Sequence, residues 1–326
     1  MGFNKKEYVD LAVNTYYGTN TKFSKDEMND TLRNKLIEVL GTDKINRKTL
    51  RRDGALVFEI LEESIGTITE RRIEEEFSPF AEYNNVGWGD TKVFTLENPD
   101  LFEVALVADG NGNLLRQRLE DGEVTVKTYM RGVKIWENLY RLLAGRVDFA
   151  KMANKVIDSY MNEIYALVYK AMYDMYDRIP DAYKVTGSFS SATFNEKVEH
   201  VEAANNASAM VIGTKTALNK VTGTYISDNM RDEFNSKGYF TSVDGTPMFR
   251  IKQVHTPGTD NFAINENFLM ILPTGGEKIV KIVEEGDSII EERKMQGMDL
   301  GSEYMFLRKS GVAVVTGSKI GAYRLS

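Results

Sequence analysis

The sequence contains no cysteine among its 326 residues. Disulfide bonds, catalytic thiolates, and zinc or iron sites with cysteine ligands are therefore excluded. Histidine is almost as scarce, since only His200 and His255 occur, and neither belongs to a catalytic or zinc-binding motif. The dipeptide Gly-Lys is absent, which excludes a phosphate-binding loop of the Walker A type. An enzymatic site built from aspartate and glutamate stays open.

Long apolar runs and proline are rare as well. No apolar stretch approaches the roughly 20 residues that a membrane-spanning helix needs, and the N-terminus "MGFNKKEYVDLAVNTYYG" lacks the apolar core of a secretory signal. Six prolines and the absence of low-complexity tracts argue against a largely disordered chain. The formal net charge is −7. Such an acidic chain is not predicted to bind nucleic acid through its overall charge.

Helical periodicity dominates the region before Lys92. Ser24 and Glu27 form a capping-box pattern at the start of one predicted helix. A second predicted helix spans residues 47–77, in which Gly54 and Gly66 are possible breaks. Its C-terminal part, "ERRIEEEF" at residues 70–77, is a charge cluster of four glutamates and two arginines, which is typical of a solvated helix face.

The strongest helical pattern follows Asp148, a candidate N-cap. Pro180 is expected to end this helix. Its apolar positions recur every three or four residues, which predicts a long rod with one face in the core. These positions are Phe149, Ala153, Val156, Tyr160, Ile164, Leu167, Ala171 and Met175.

From Lys92 the apolar period changes to two, which predicts strands. Two of these strands flank residues 109–113, "DGNGN", whose glycines and asparagines favour the positive φ angles of a hairpin turn. The predicted hairpin is long for a compact domain and has few apolar side chains at its tip. We therefore expect it to pack against something outside its own domain, such as a neighbouring subunit.

The same turn also resembles a calcium-binding loop. Asp109, Asn111, Asn113 and Glu120 occupy positions 1, 3, 5 and 12 of an EF-hand pattern. Position 6, where the pattern requires glycine, is Leu114, and the flanking segments are predicted strands. A plain hairpin turn is therefore the preferred interpretation, and no metal site is predicted.

Short units of strand and helix are predicted after Val185. "ASAMVIG" is predicted as a buried strand, "TKTALNKV" as a short helix after it, and "PMFRIKQVHTP" and "NFLMILPTGG" as further strands. The C-terminal segment is predicted to form two or three strands, joined by turns at 309–311 and 316–318.

The order of these elements resembles that of tailed-bacteriophage major capsid proteins of the HK97-like fold family. The segment "VKTYMRGVKIWENLYRLLAGRVDFAKMANKVIDSYMNEI" leads into the long helix, "SAMVIGTKTALNKV" follows it, and "GVAVVTGSKIGAYRL" lies near the end. The resemblance rests on order and spacing over residues 92–326, while residues 1–91 match only in role.

The resemblance implies an α+β fold with four parts. Residues 1–91 would form a mostly helical N-terminal arm, and residues 92–131 an extended hairpin called the E-loop. Residues 132–184 and 296–326 would form a peripheral domain around a long spine helix, and residues 185–295 an axial domain. Because the sequence starts with Met1, the arm is expected to be uncleaved, with any scaffolding supplied by a separate protein.

The function implied by the resemblance is structural rather than enzymatic. Copies of the chain would assemble into pentamers and hexamers that form an icosahedral head shell around double-stranded phage DNA, without reading its sequence. The expected partners are other copies of the chain, a scaffolding protein and the portal, with no membrane, cofactor or metal. The expected location is the virion, after assembly in the cytoplasm of the host bacterium.

In this family the E-loop lies across the adjacent subunit, which would cover the tip of the hairpin. Its arginines and the asparagines of its turn would then face a neighbouring copy, where an acidic cluster is a suitable partner. The candidate inter-subunit contacts are Arg116, Arg118, Asn111, Asn113, Glu74 and Glu75.

Three alternatives remain at this stage. An encapsulin, which is a nanocompartment shell protein enclosing cargo enzymes, shares the fold but typically has a shorter region before the E-loop. An enzyme with a site of aspartates and glutamates would require a deep pocket of convergent carboxylates. Another virion component, such as a tail or decoration protein, would fit less well with the long helix and the chain length.

Overall fold

The computed structural model describes residues 5–17, 30–31, 34–35, 37–38, 47–96, 122–138, 149–222, 227–256, 258–275, 278–294, 301–315 and 317–326. Of the helix predicted after Ser24, the structure describes residues 30–31, 34–35 and 37–38, all of them helical. The hairpin turn at 109–113 with its calcium-like pattern and the N-cap at Asp148 lie outside the described residues.

The helices are α1 (Lys5–Tyr17), α2 (Arg47–Phe77), α3 (Phe149–Asp174), α4 (Ser191–Asn205), α5 (Lys215–Asn219) and α6 (Asp228–Lys237). The strands are β1 (Ala81–Val86), β2 (Val93–Leu96), β3 (Gly122–Thr125), β4 (Tyr129–Asn138), β5 (Lys184–Gly187), β6 (Ala209–Gly213), β7 (Ser242–Val243), β8 (Thr246–Arg250), β9 (Phe268–Pro273), β10 (Val280–Glu285), β11 (Ile289–Lys294), β12 (Gly301–Val314) and β13 (Gly321–Leu325).

The two long helices predicted from periodicity are confirmed. Helix α2 runs unbroken through Gly54 and Gly66, so neither of these candidate breaks interrupts it. Gly66 lies where a Cβ would be 3.2 Å from Ser288 Oγ, so a small residue lets the helix approach the β10–β11 turn closely. Helix α3 ends shortly before Pro180 and buries Ile157 and Val168 completely. It packs against α1, α2 and strands of both large sheets in one apolar core.

The first large sheet has five strands in the order β1-β10-β12-β11, with β4 also pairing with β12. Strand β1 is parallel to β10, and the other pairs are antiparallel. The prediction of helix up to Lys92 missed β1, because its sequence "AEYNNV" is mostly polar and shows no apolar alternation. Its polar side chains have partners on β10, which is distant in sequence.

Strand β12 continues through residues 309–311, so the turn predicted there is wrong. Gly311 lies inside the strand, and the main chain of Lys127 passes directly over it, which leaves no room for a side chain. A Cβ on this residue would lie 2.2 Å from the carbonyl oxygen of Lys127. The glycine therefore marks a close approach of two backbones rather than a turn. The break predicted at 316–318 does separate β12 from β13.

The second large sheet has six strands in the order β5-β13-β9-β6-β8-β7. The predicted unit of buried strand and short helix is confirmed, since β6 is buried along its length and α5 follows it. Thr214 caps α5 by accepting a hydrogen bond from the Ala217 amide at 3.2 Å. The strand predicted over "PMFRIKQVHTP" is shorter than expected and ends at Arg250.

Strands on both sides of the predicted boundary between the axial segment (185–295) and the last peripheral segment (296–326) belong to the same sheets. Strands β10 and β11, in the predicted axial segment, belong to the five-stranded sheet, while β13 near the C-terminus pairs with β5 and β9 of the six-stranded sheet. This boundary is therefore not a boundary between the two sheets. Among the described residues, no helix combines the length and the hydrophobicity that crossing a membrane requires.

Candidate functional site

The two chain segments of the predicted hairpin leave the body of the protein side by side. Strands β2 and β3 pair antiparallel, from Val93 opposite Thr125 to Leu96 opposite Gly122. We call residues 87–96 and 122–130 the hairpin root. The segment between them, 97–121, lies outside the described residues.

The hairpin root covers one face of the five-stranded sheet at β1 and β10. Phe94 and Val126 of the root pack against Val283 and Val315, and all four side chains are buried. Burying apolar side chains of this size contributes roughly 1.5–3 kcal/mol each. The root is therefore held as part of the folded body.

A single carboxylate ties both legs of the root to the sheet. Glu285, at the end of β10, accepts hydrogen bonds from the Gly89 amide at 2.9 Å and from the Thr128 hydroxyl at 2.6 Å. Lys309 Nζ also donates a hydrogen bond to Oε1 of this carboxylate, at 2.6 Å. The hydrogen bonds from Lys309, Thr128 and Gly89 lower the pKa of Glu285 to about 2. Because Gly89 precedes the hairpin and Thr128 follows it, this carboxylate fixes the entry and the exit together.

Replacing Glu285 with glutamine is expected to loosen the hairpin root without unfolding the chain. The amide of Gln cannot satisfy three donors as an ionised carboxylate does, so the Gly89 amide should exchange with solvent several-fold faster in hydrogen-exchange mass spectrometry. Acid should act in the same way, because the pKa of Glu285 is depressed: its contribution to stability is complete above pH 4.5 and is lost as the pH falls to about 2, where the carboxylate itself becomes protonated. Glu303→Gln, which changes a carboxylate paired with Lys134, is the matched control. Unchanged exchange at Gly89 in Glu285→Gln would contradict this role.

Several large apolar side chains are exposed around the same corner. The indole of Trp88 lies over Gly286, where a Cβ would be 2.1 Å from the ring, so only glycine fits beneath it. Trp88 is nevertheless 48% exposed, and Val93, Tyr129 and Met130 are exposed to a similar degree. An exposed cluster that is rich in aromatic residues is typical of a protein interaction surface.

The opposite face of the same strands carries a buried ionic cluster under α2. Arg308 on β12 donates through Nη2 to Glu284 on β10, and the Tyr83 hydroxyl donates to the same carboxylate at 2.8 Å. Burial and the carboxylate of Glu284 raise the pKa of Tyr83 strongly. Burial also raises the pKa of the nearby Glu70, on α2. This cluster joins three neighbouring strands and α2.

A second charged cluster joins the three N-terminal helices. Arg72 on α2 donates through Nη1 to the Tyr16 hydroxyl at 2.5 Å and to Asp158 at 2.7 Å, and it pairs with Glu76 at 3.0 Å. Glu76 also accepts a hydrogen bond from Tyr165. These contacts fasten α1 to α2, and α2 to α3.

The predicted contact residues on α2 are exposed, as a surface role requires. Glu75 pairs with Arg71 on its own helix at 2.9 Å. Glu74 lines an open cavity of about 270 Å³ between the end of α2 and the five-stranded sheet. The remaining lining includes the apolar residues Ile73, Phe77 and Ile282 and the charged residues Glu82 and Lys278. The other candidates, Arg116, Arg118, Asn111 and Asn113, lie outside the described residues.

Each histidine contacts a nearby side chain. His200 Nε2 lies 3.8 Å from a carboxylate oxygen of Glu196 on the same helix, and the ring of His255 packs at a tilt against the ring of Phe262. Within the described part of the chain, no three His, Asp or Glu side chains are grouped so that they could hold a metal ion.

Sequence reasoning missed the hairpin root, including Glu285 and Lys309. The one available signal was "GWGD" at residues 87–90, where glycines flank an exposed tryptophan.

Comparison with known proteins adds a family and a fold. Residues 9–324 match the family described as "SPbeta prophage-derived putative capsid protein YonB". The capsid of the native GTA particle has a TM-score of 0.55 and 11% identity, with 77% of this chain and 90% of that chain covered.

Two further solved structures show the same fold. The mature capsid of bacteriophage PhiM1 has a TM-score of 0.51 and 10% identity, with 77% of this chain and 86% of that chain covered. The structure of Microbacterium phage Oxtober96 has a TM-score of 0.51 and 10% identity, with 77% of this chain and 90% of that chain covered. At these identities the likeness concerns the fold alone. Comparison with curated proteins gives no match.

Proposed function

The chain belongs to the YonB family of prophage-derived capsid proteins, and from this premise we propose that it assembles through pentamers and hexamers into an icosahedral shell around double-stranded phage DNA. The observation that carries the proposal is the family match, which extends over residues 9–324 and so concerns nearly the whole chain. A shell role places the protein in the virion capsid and makes its task structural. The hairpin root adds support, because a shell of identical chains needs a firm body from which a segment can reach a neighbouring copy.

The parts of the HK97-like fold can be assigned by sheet membership. We assign the five-stranded sheet with α2 and α3 to the peripheral domain, with α3 as the spine helix; its 26 residues make a rod of roughly 39 Å. The six-stranded sheet with α4, α5 and α6 would be the axial domain. Residues 92–131 would be the E-loop, which leaves the body at the hairpin root, and the N-terminal arm would precede it.

The E-loop is proposed to lie across the adjacent subunit. Arg116 and Arg118, beside the turn asparagines Asn111 and Asn113, would meet the acidic end of α2 in the neighbouring copy. Glu74 and Glu75 are exposed there, and the cavity beside Glu74 has an apolar wall. This arrangement gives the arginines charge complementarity and gives the apolar residues of the hairpin a surface to cover.

An encapsulin-type nanocompartment is the second candidate considered. The family match is to a prophage-derived capsid protein, so this alternative is not favoured. The two functions differ in the contents of the shell, which would be DNA in one and cargo enzymes in the other.

The proposed partners follow from the shell role. A scaffolding protein and a portal would guide assembly in the cytoplasm of the host bacterium. DNA would be enclosed without sequence reading, and the net charge of −7 suits a wall that does not hold DNA by bulk attraction.

Electron microscopy of the protein expressed alone, combined with sedimentation, tests this proposal. Closed shells or capsomer-sized rings are the expected result, and nuclease-sensitive DNA inside shells from infected or induced cells would distinguish a phage head from a nanocompartment. A chain that stays monomeric even when its candidate scaffolding protein is present would contradict the shell role.

Reversing the two hairpin arginines to glutamate, as Arg116→Glu with Arg118→Glu, is expected to block shell assembly. The chain should remain a folded monomer, because the change places like charges opposite the acidic end of α2 only when copies meet. The control is Arg116→Lys with Arg118→Lys, which keeps the charge. Recovery of shells on adding Glu74→Lys and Glu75→Lys would identify the partner residues, whereas normal shells from the reversed variant would contradict the contact.

A further inference from the structure

Two carboxylates share one guanidinium and one hydroxyl where α2 packs against the five-stranded sheet. Glu284 forms the ion pair with Arg308, and both side chains are almost completely buried. The Tyr83 hydroxyl donates to Glu284 at 2.8 Å, and it also interacts with the carboxylate of Glu70, on α2. This hydroxyl therefore lies between two carboxylates.

Strand β1 supplies the hydrogen-bond donors that face Glu70. Tyr83 and Asn85 are two residues apart in the strand, so their side chains point to the same face. Asn85 Nδ2 donates to Oε1 of Glu70 at 2.8 Å. A phenol and a carboxamide carry no charge, whereas the guanidinium of Arg308 makes its hydrogen bond to Glu284. Glu70 is therefore bound by neutral donors.

Among the described residues around this cluster, one faces Glu70 with a positive charge. The charged and titratable groups contributed by the packed elements are Tyr83 of β1, Glu284 of β10, Arg308 of β12 and Tyr160 of α3. Tyr160 donates its hydroxyl hydrogen to the carbonyl oxygen of Phe306 at 2.7 Å. On α2 itself, Arg71 pairs with Glu75. With both carboxylates ionised, the cluster carries two negative charges against one positive charge.

A single proton restores the balance. Burial raises the pKa of Glu70, and the charge of Glu284 raises it further, against the opposing effect of Arg308. A protonated Glu70 can donate to the Tyr83 oxygen, whose own hydrogen goes to Glu284. Hydrogen bonds then connect α2 through β1 to β10 and β12. Without the proton, two carboxylates compete for one hydroxyl hydrogen.

We propose that Glu70 is a proton-operated latch between α2 and the five-stranded sheet: a bound proton holds the C-terminal half of α2 on the sheet, and loss of the proton loosens it. The reason is that a partly buried carboxylate without a cation of its own is costly. Glu74 and Glu75 lie about one turn further along α2, so the latch also governs how firmly these exposed carboxylates are held. The inference concerns one folded chain and does not depend on the proposed shell.

The latch responds to pH in the opposite direction from the contact made by Glu285. Because the pKa of Glu70 is raised, its stabilising effect is complete below pH 4.5 and is lost as the pH rises through the raised value. The lowered pKa of Glu285 makes that contact fail in acid instead. The two effects separate when a variant of Glu70 is compared with the wild type at the same pH, since all other groups titrate in both chains.

Thermal unfolding of full-length Glu70→Gln and wild-type protein, each at about pH 4 and about pH 8, tests the latch. Glutamine imitates the protonated carboxyl, since it can accept from Asn85 and donate to Tyr83. The variant is expected to unfold about 2 °C higher than the wild type at the higher pH and at the same temperature at the lower pH. Amide hydrogen exchange of residues 67–77 should be several-fold slower in the variant at the higher pH.

Two further variants sharpen the test. Glu74→Gln removes an exposed carboxylate from the same helix and should give no difference that depends on pH. In a Glu284→Gln background, Glu70 is the carboxylate left for Arg308 in this cluster, so adding Glu70→Gln should lower the midpoint at the higher pH instead of raising it. A rise in that background would contradict the charge count. A Glu70→Gln chain that is no more stable than the wild type at the higher pH, or more stable by the same amount at both, would overturn the proposal.

Discussion

Replacing Arg308 with methionine is expected to destabilise the chain by about 3–5 kcal/mol. The side chains of Arg308 and Glu284 are only 4% and 3% exposed, and they form an ion pair between β12 and β10. Methionine has a similar length but no charge, so Glu284 would stay buried with only the Tyr83 hydroxyl as its described side-chain partner. The cost of an uncompensated buried charge exceeds what the ion pair itself contributes.

Urea denaturation followed by circular dichroism measures this effect as a lower midpoint at an unchanged slope. The matched control is the double variant Arg308→Met with Glu284→Gln. The double variant removes both charges, so it leaves no buried charge without a partner and should be less destabilised than the single variant. It also turns the hydrogen bond from Tyr83 to the Glu284 carboxylate into one to a neutral amide, which offsets only part of this gain. A single variant that loses less than about 1 kcal/mol, the size of an exposed ion pair, would show that the pair is solvated.

Replacing Gly311 with alanine is expected to cost about 3 kcal/mol or more. The new Cβ would lie 2.2 Å from the carbonyl oxygen of Lys127 and 2.9 Å from its carbon. Both are backbone atoms, which cannot move aside as a flexible side chain can. Strand β12 pairs with β4, β10 and β11, so a shift of its backbone would disturb three neighbouring strands.

The effect can be measured as a fall in the thermal unfolding midpoint and in the yield of soluble protein. Gly122→Ala is the matched control, because a Cβ there would meet only the side chain of Leu96, at 3.3 Å. That variant should lose much less stability. Equal effects of the two alanines would contradict the close approach of Lys127 to Gly311.

Patterns within a short stretch of sequence predicted the elements whose stabilising contacts are local or uniform. Helices α2 and α3 followed from apolar residues three and four apart, and the buried strand β6 followed from a continuous apolar run, with the short helix α5 predicted directly after it. The order of these elements also predicted the capsid family, which the family match confirms. The mixed helix and sheet fold is confirmed by the same capsid structures.

The predictions that failed concern partners that are distant in sequence. Strand β1 is polar and has no signal of its own, because it pairs with β10 through Glu82 with Lys281 and Tyr83 with Glu284. Gly311 was interpreted as a turn because a glycine in sequence does not reveal whether it bends the chain or admits a neighbouring backbone. The pairing of β13 with β5 and β9 also joins segments that are distant in sequence, and no local pattern predicts it.

The sequence by itself therefore determined the class of elements, their order along the chain, and the absence of thiol, zinc-finger and Walker A chemistry. Only the tertiary structure placed Glu285 where it bonds to both legs of the hairpin root. It also brought the amine of Lys281 to the carboxylate of Glu82, which the side-chain amide of Asn84 contacts as well. The physical reason is that periodicity records which face of an element is apolar. It does not record which distant strand will lie alongside, and strand register decides which polar groups meet.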